Sequence, residues 1–274
     1  MKSSYLILFI LVIGFTSCKQ EKITKKEKKL QVIQKKLQVI QKELQSIDDI
    51  ETLDSLVKPI DYTNVISLSD LSVADKKSKF IDLLLPAILI AKQKQEARRI
   101  KVLRLSKKDS LSISEQGFLE KLKTAYKATD LDDLQNRLLT HPTSLILAQA
   151  SLESGWGKSR FFREGRNIFG VWSVNKNEPR MQTKSHRNGK YMYVKKYNSI
   201  SESIEDYFKT LGKSNAYKRF RKTRAKTNDP YEISNTLNLY SEQRWEYVAK
   251  LKRQIRHNRL EQFDSYVIDS IYYK

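Results

Sequence analysis

The chain has 274 residues, and 52 Lys plus Arg against 31 Asp plus Glu leave a formal charge of +21. Hydrophobic residues at 39% and aromatics at 10% can build a core, which excludes wholesale disorder, and 8 Gly with 5 Pro exclude collagen-like or low-complexity architecture. One Cys and 3 His exclude a disulfide framework and a Cys-rich zinc site.

Such a basic balance favours polyanions, nucleic acid among them, but the N-terminus points elsewhere. After Met1-Lys2 comes an unbroken apolar run of 11 residues, Tyr5 to Phe15. A bilayer span needs about 20 residues, so the run fits the core of a secretory signal instead. It ends in Phe15-Thr16-Ser17-Cys18, at the chain's one cysteine. This resembles the lipobox of a bacterial lipoprotein, which implies a signal peptide over residues 1–17, cleavage before Cys18 and acylation of Cys18. An ordinary signal peptide beside an incidental cysteine is the alternative. An exported chain rarely meets DNA or RNA, so no nucleic-acid partner is expected. The charge is assigned to anionic headgroups and the acidic cell wall, in a membrane-anchored protein facing the periplasm or cell envelope.

Lys19 to Gln45 holds 9 Lys and 3 Glu with no aromatic residue. The segment Lys29-Leu-Gln-Val-Ile-Gln-Lys35 is repeated at once over Lys36 to Lys42. Leu30, Ile33, Leu37, Ile40, Leu44 and Ile47 then alternate spacings of three and four, a heptad seam. The seam is short, so a coiled coil and a lone amphipathic helix both stay open, and the oligomeric state with them. Residues 18–75 are expected to be a basic, partly helical tether, and residues 76–274 the globular body.

In the body, Phe80 to Ala91 is apolar and helical in character, with Pro86 expected to kink or break it. Ser112 and Glu115 have capping-box spacing ahead of an amphipathic helix through Phe118, Leu122 and Tyr126. Thr140-His141-Pro142 opens a further helix, with Pro in its first turn. This helix continues as Ser144 to Gly157, SLILAQASLESGWG, apolar on nearly every side. Its polar members are therefore informative: Gln149 and Glu153 share a face and meet either a polar network or a cleft. Gly155 and Gly157 end the helix. Glu153 falls in the last turn, where the helix dipole disfavours a carboxylate, and Trp156 is positioned to add desolvation. A glutamic acid that keeps its proton is what a glycosidase uses to protonate a leaving oxygen, although a core-pairing Glu is equally compatible with the pattern.

Ala148-Gln-Ala-Ser-Leu-Glu153-Ser-Gly-Trp-Gly157, Ser159-Arg-Phe and Asn167-Ile-Phe-Gly170 together resemble glycoside hydrolase family 73, the mannosyl-glycoprotein endo-beta-N-acetylglucosaminidase-like domain, in its Bax-like bacterial branch. Phe80 to Pro86 upstream and Arg253 to Asp264 downstream share the likeness, so it covers roughly Lys76 to Asp264. The resemblance implies an α+β, mostly helical, lysozyme-like fold with a small β-hairpin lobe. It also implies cleavage of the β-1,4 bond between N-acetylglucosamine and N-acetylmuramic acid in peptidoglycan glycan strands, with Glu153 as general acid; the residues themselves call for no cofactor or metal.

In the family the second acidic group comes from the hairpin lobe. Here Asn188-Gly189 is a hairpin turn between Arg180 to Arg187 and Lys190 to Val194. Between Glu164 and Glu202 the one acidic residue is Glu178, in a loop. Glu178 as water activator and a route through the sugar's own acetamide both stay open, with retention or inversion. Tyr240 matches the family's Tyr near the acid, though Leu239 stands where Gly is commoner. Gln149, Trp156, Asn167 and Trp172 are the candidate substrate-binding residues, Trp172 facing the groove and Phe169 in the core. The missing obvious second carboxylate also suits a non-catalytic wall-binding lipoprotein that kept the fold.

Gly157-Lys158-Ser159 and Gly212-Lys213-Ser214 are not P-loops, because Leu152 and Tyr207 stand where the leading Gly is required. His141, His186 and His257 lack metal-ligand spacing. Lys213 to Lys226 holds 7 basic residues and no acid, and is expected to be a helix with a solvated basic face. Helices are also expected from Ser199 or Ser201 to Gly212 and from Glu242 to Arg256.

Overall fold

The computed structural model describes residues 36–187 and 190–274. The expected signal run, Cys18, Leu30, Ile33 and the expected turn at Asn188-Gly189 lie outside the described residues. Two compact units divide the chain, residues 1–38 with Tyr273–Lys274, and Val39–Tyr272. In the first, Lys36 and Lys274 exchange backbone hydrogen bonds of 2.6 and 3.1 Å, and Leu37 forms an antiparallel bridge with Tyr273.

The second unit begins well before Lys76, which corrects the expected tether. Strand β1 (Ile40–Lys42) is followed by β2 (Leu56–Val57) and β3 (Ile60–Tyr62). β1 pairs in parallel with β3, Ile40 opposite Ile60 and Lys42 opposite Tyr62. Leu44, Ile50, Ile60, Tyr62 and Leu68 are buried in the main core. The seam residues Ile40, Leu44 and Ile47 are thus a strand, a core contact and the start of a 3-10 turn (Ile47–Asp49), not one helical stripe. A short isolated helix is marginal in water. Pairing with β3 and burial of Leu44 offer the β-branched residues more.

Helix α1 (Val73–Leu105) starts at Ser72, whose side chain accepts from the Asp75 amide, and runs unbroken through Pro86. Of the kink or break expected there, the break does not occur. Phe80, Leu83, Leu84, Ala87, Ile88 and Ala91 around it are fully buried, and packing on that scale outweighs the roughly 3 kcal/mol that an interior proline costs. Then follow α2 (Ile113–Tyr126), with the expected capping box, α3 (Leu131–Arg137), α4 (Thr143–Ser154) and α5 (Arg160–Gly165). Strands β4 (Arg180–Arg187) and β5 (Lys190–Lys195) pair antiparallel, Arg180 opposite Lys195, with an irregularity between Gln182 and His186. The chain closes with α6 (Ile200–Lys213), α7 (Lys218–Arg224), α8 (Pro230–Ser234), α9 (Trp245–His257) and β6 (Val267–Ile268), which pairs in parallel with β2. Among the described residues the result is mostly helical with one β-hairpin, the α+β arrangement expected.

The main core joins α1, α4, α6 and α9 with the β1–β3 segment. A smaller cluster, with Leu105, Leu119, Tyr126, Leu134 and Leu138, lies between the end of α1, α2 and α3. The basic segment 213–226 is not one solvated helix. It is a 3-10 turn (Asn215–Tyr217) followed by α7, and Arg221 and Arg224 turn inward. Arg221 donates to the Leu211 and Ser214 carbonyls, and Arg224 to those of Asn136 and Arg137. Guanidinium groups thereby satisfy the open carbonyl ends of α3 and α6, where the helix dipole favours a cation. No helix among the described residues is long and apolar enough to cross a membrane.

Candidate active site

Helix α4 is buried along nearly its whole length, as its apolar sequence requires. It ends at Gly155 in the left-handed conformation (φ 58°), and Trp156 and Gly157 continue there at φ 57° and 85°. At Gly157 a β-carbon would stand 3.2 Å from the Phe80 ring and would be strained at that φ, so the turn needs glycine. Trp156 is held in a conformation costly for L-residues by an edge contact with Phe80 (5.4 Å between centroids) and by the Lys77 ammonium 5.1 Å over its ring.

This turn leaves Glu153 half-buried in the last turn of α4. Burial raises its pKa above the ordinary glutamate value, and one hydrogen bond partly offsets that: the Tyr247 hydroxyl donates to Oε1 at 2.8 Å. No charged side chain among the described residues adds to the shift. The carboxyl therefore holds its proton to higher pH than an exposed glutamate, and can deliver it to an oxygen placed beside it.

Gln149 does not reach a cleft. It is fully buried, its Nε2 donates to the Tyr247 hydroxyl at 3.2 Å, and its Oε1 accepts from the Tyr207 hydroxyl at 2.5 Å. Of the two destinations open to a polar residue on this face, the structure shows the network, which removes Gln149 from the substrate-binding candidates. Beyond it, Tyr207 meets His141 Nε2 at 2.8 Å. Tyr240, half-buried, stacks on Tyr247 with ring centroids 5.4 Å apart, and Tyr217 follows at 6.1 Å from Tyr240. Tyr240 thus touches the partner of the acid rather than bonding the acid itself.

Tyr247, Tyr207 and His141 were not singled out from the sequence as site residues. A signal for Tyr247 existed: it lies on the apolar stripe of α9 with Val248, Leu251 and Ile255, and a hydroxyl in such a stripe needs a buried partner.

Asn167 is also buried. Its amide donates to the Val171 and Lys195 carbonyls at 3.0 and 2.9 Å and accepts from the Val171 N–H at 2.9 Å. It ties the segment after α5 to the hairpin, a structural task that replaces the expected substrate contact. Phe169 is in the core as expected, stacked on Tyr207 at 4.2 Å. Trp172 is 50% exposed beside the hairpin, bridged through its backbone to Val194. Glu178 is more engaged than a loop residue need be: Ser173 Oγ donates to Oε1 at 2.8 Å, and Lys195 Nζ lies 3.6 Å from Oε2 while also pairing with Asp206 at 2.9 Å. A cavity lined by Glu51, Leu53, Val57, Lys58, Tyr62 and Pro86 shares no residue with this site. No group of three or more His, Cys, Asp or Glu among the described residues could hold a metal ion.

Residues 128–260 match the family described as Mannosyl-glycoprotein endo-beta-N-acetylglucosaminidase, a narrower span than the resemblance from Lys76 to Asp264. The chain is 34% identical over 87 residues to Protein bax of Escherichia coli (strain K12), covering 31% of this chain and 28% of that protein. It is 37% identical over 89 residues to Peptidoglycan hydrolase FlgJ of Salmonella typhimurium, covering 28% of each. Among solved structures, the catalytic domain of the autolysin Auto from Listeria monocytogenes aligns with a TM-score of 0.39 and 24% identity, over 59% of this chain and 93% of that one. The chain therefore spans little more than a quarter of the length of these curated relatives. His141, Gln149, Glu153, Tyr207, Tyr240 and Tyr247 all fall within the stretch, residues 128–260, that matches the glucosaminidase family.

Proposed function

We propose that the protein is a peptidoglycan hydrolase that cleaves the β-1,4 bond between N-acetylglucosamine and N-acetylmuramic acid, with Glu153 protonating the glycosidic oxygen. The observation that carries this reading is the half-buried Glu153 carboxyl at the end of α4, its proton retained by burial and its conjugate base met by the Tyr247 hydroxyl. The match to the glucosaminidase family and the likeness to a protein named peptidoglycan hydrolase support the bond and the polymer. Trp172, exposed beside the hairpin, offers a ring face to a sugar. The opposite side of the sugar is served by Glu178 or by the substrate's own acetamide oxygen.

Digestion of purified peptidoglycan by the full chain, followed by mass spectrometry of the fragments, tests the reading. New reducing N-acetylglucosamine ends from wild type, and a loss of at least a hundredfold in folded Glu153→Gln, are expected. Reducing N-acetylmuramic acid ends would overturn the bond. Binding without any cleavage would make the protein a wall-binding module. In the same assay Glu178→Gln keeps turnover if the acetamide serves and loses it if Glu178 does.

We further propose that residues 1–17 direct export and that Cys18 carries the lipid that fixes the enzyme to an envelope membrane, with the basic charge drawn to anionic headgroups and wall polymer. Metabolic lipid labelling that survives in Cys18→Ala would dispose of the anchor.

A further inference from the structure

The hydrogen bonds behind Glu153 have a direction. The Tyr247 hydroxyl donates its one proton to Glu153, so its oxygen can only accept from elsewhere, and it accepts from Gln149 Nε2. That arrangement turns Gln149 Oε1 the other way, where it accepts the proton of the Tyr207 hydroxyl. Tyr207 oxygen in turn faces His141 Nε2 at 2.8 Å, and with the tyrosine proton already committed, His141 must be the donor. From His141 through α6, α4 and α9, every proton points toward Glu153.

His141 suits the end of such a series. It is buried, and burial together with the nearby Arg224 and Lys92 cations holds its pKa well below the ordinary value, so it stays neutral with one ring proton. Nδ1 is buried with no hydrogen-bond partner among the described residues. A proton on Nε2 leaves a bare lone pair at that orphaned position rather than an N–H, and an orphaned N–H is the rarer of the two in proteins.

The weak point of the series is the Gln149 amide. Turned over, it would offer Oε1 to Tyr247 and take the hydroxyl proton away from Glu153. We propose that Tyr207 and His141 are positioning residues: they lock the Gln149 amide in the orientation that commits the single proton of Tyr247 to Glu153. The consequence for catalysis rests on Glu153 being the general acid. As Glu153 gives up its proton, the committed hydroxyl stabilises the carboxylate formed, which makes the buried acid a readier donor.

Carboxyl-carbon NMR titration of Glu153 in the full chain tests this without any substrate. Among the described residues, the other ionisable groups that interact electrostatically with Glu153 are Tyr247, Tyr240, Tyr217 and Tyr207, and burial raises the pKa of each, so they stay neutral through the titration. Loss of the donor in Tyr247→Phe is expected to move the Glu153 midpoint up by about one pH unit, the scale of a hydrogen bond to a charged group. Tyr207→Phe keeps the ring that stacks on Phe169 and never touches Glu153, yet it is expected to move the midpoint up as well. The double variant should move it no further than Tyr247→Phe alone. A midpoint unmoved in Tyr207→Phe, or additive shifts, would overturn the proposal.

Should Tyr207→Phe fail to fold, the ring-nitrogen shifts of His141 in the wild type decide the matter. A proton on Nε2 is expected, and one on Nδ1 overturns it. If peptidoglycan is cleaved, the alkaline limb of the rate profile follows the midpoint. If nothing is cleaved, the functional reading falls while the titration still judges the lock.

Discussion

Glu153 sits where its charge is unwelcome, and that has a sign in stability. Burial raises its pKa above the ordinary value of 4.5, and the Tyr247 hydroxyl recovers part of the loss. Between 4.5 and the raised value the folded chain keeps a proton that the unfolded chain has released. Folding stability therefore falls as pH rises through that window, and the deficit is complete above it. Glu153→Gln removes the titration while its amide oxygen can still accept from Tyr247. The variant is expected to melt at a higher temperature than wild type at pH 7 and to lose that advantage at about pH 4, where both carry a neutral side chain. Paired thermal melts at the two pH values check this, and an advantage that is the same at both would mean that the carboxylate is not disfavoured by the fold. Under the proposed function the same substitution abolishes turnover, so a change that removes activity is expected to stabilise the protein.

At the scale of elements, what was legible was what local chemistry decides. The apolar run before Glu153, the Gly155 cap, the Ser112 capping box and the paired strands around residues 188 and 189 follow from periodicity and turn residues, and the structure places each where those signals do. What depended on distant partners was not legible. Ile40, Leu44 and Ile47 have helical spacing, and only their pairing and packing with residues near 60 turn them from it. Gln149 and Asn167 are polar residues in apolar surroundings, a pattern that fits a cleft and a network equally, and the network was the outcome for both. The helix starts show the same dependence. Neither Thr143 nor Pro142 caps α4. The task falls to Asp264, which accepts from the Ser144 N–H at 2.8 Å and from its hydroxyl at 2.7 Å. At the start of α6, Asp61 takes the N–H and hydroxyl of Ser201 at 3.0 and 2.5 Å. In both helices a carboxylate from far along the chain grips the second residue, where the dipole favours an anion.

At the scale of the molecule, Asp61 shows why the segment before α1 belongs to the folded body. Residues 39–72 bring Leu44, Ile50, Ile60, Tyr62 and Leu68 into the main core, and Lys79 on α1 donates to the Ile50 carbonyl at 2.9 Å. Asn64 closes the segment by pairing both its amide atoms with the Leu44 backbone, at 2.7 and 2.8 Å. Each large apolar side chain buried contributes roughly 1.5–3 kcal/mol, so losing this set forfeits on the order of 10 kcal/mol, as much as the whole stability of a typical domain. The same cut would leave the Ser201 N–H and hydroxyl without their carboxylate at the start of the helix that carries Tyr207. A chain beginning at residue 76 is therefore expected to show no cooperative thermal transition, and one beginning at residue 39 to melt within a few degrees of the full chain. Circular-dichroism melts of the three forms decide it. A cooperative transition in the shortest form would mean that residues 39–75 pack on a body that stands without them, and that the cap at Ser201 is replaceable by water.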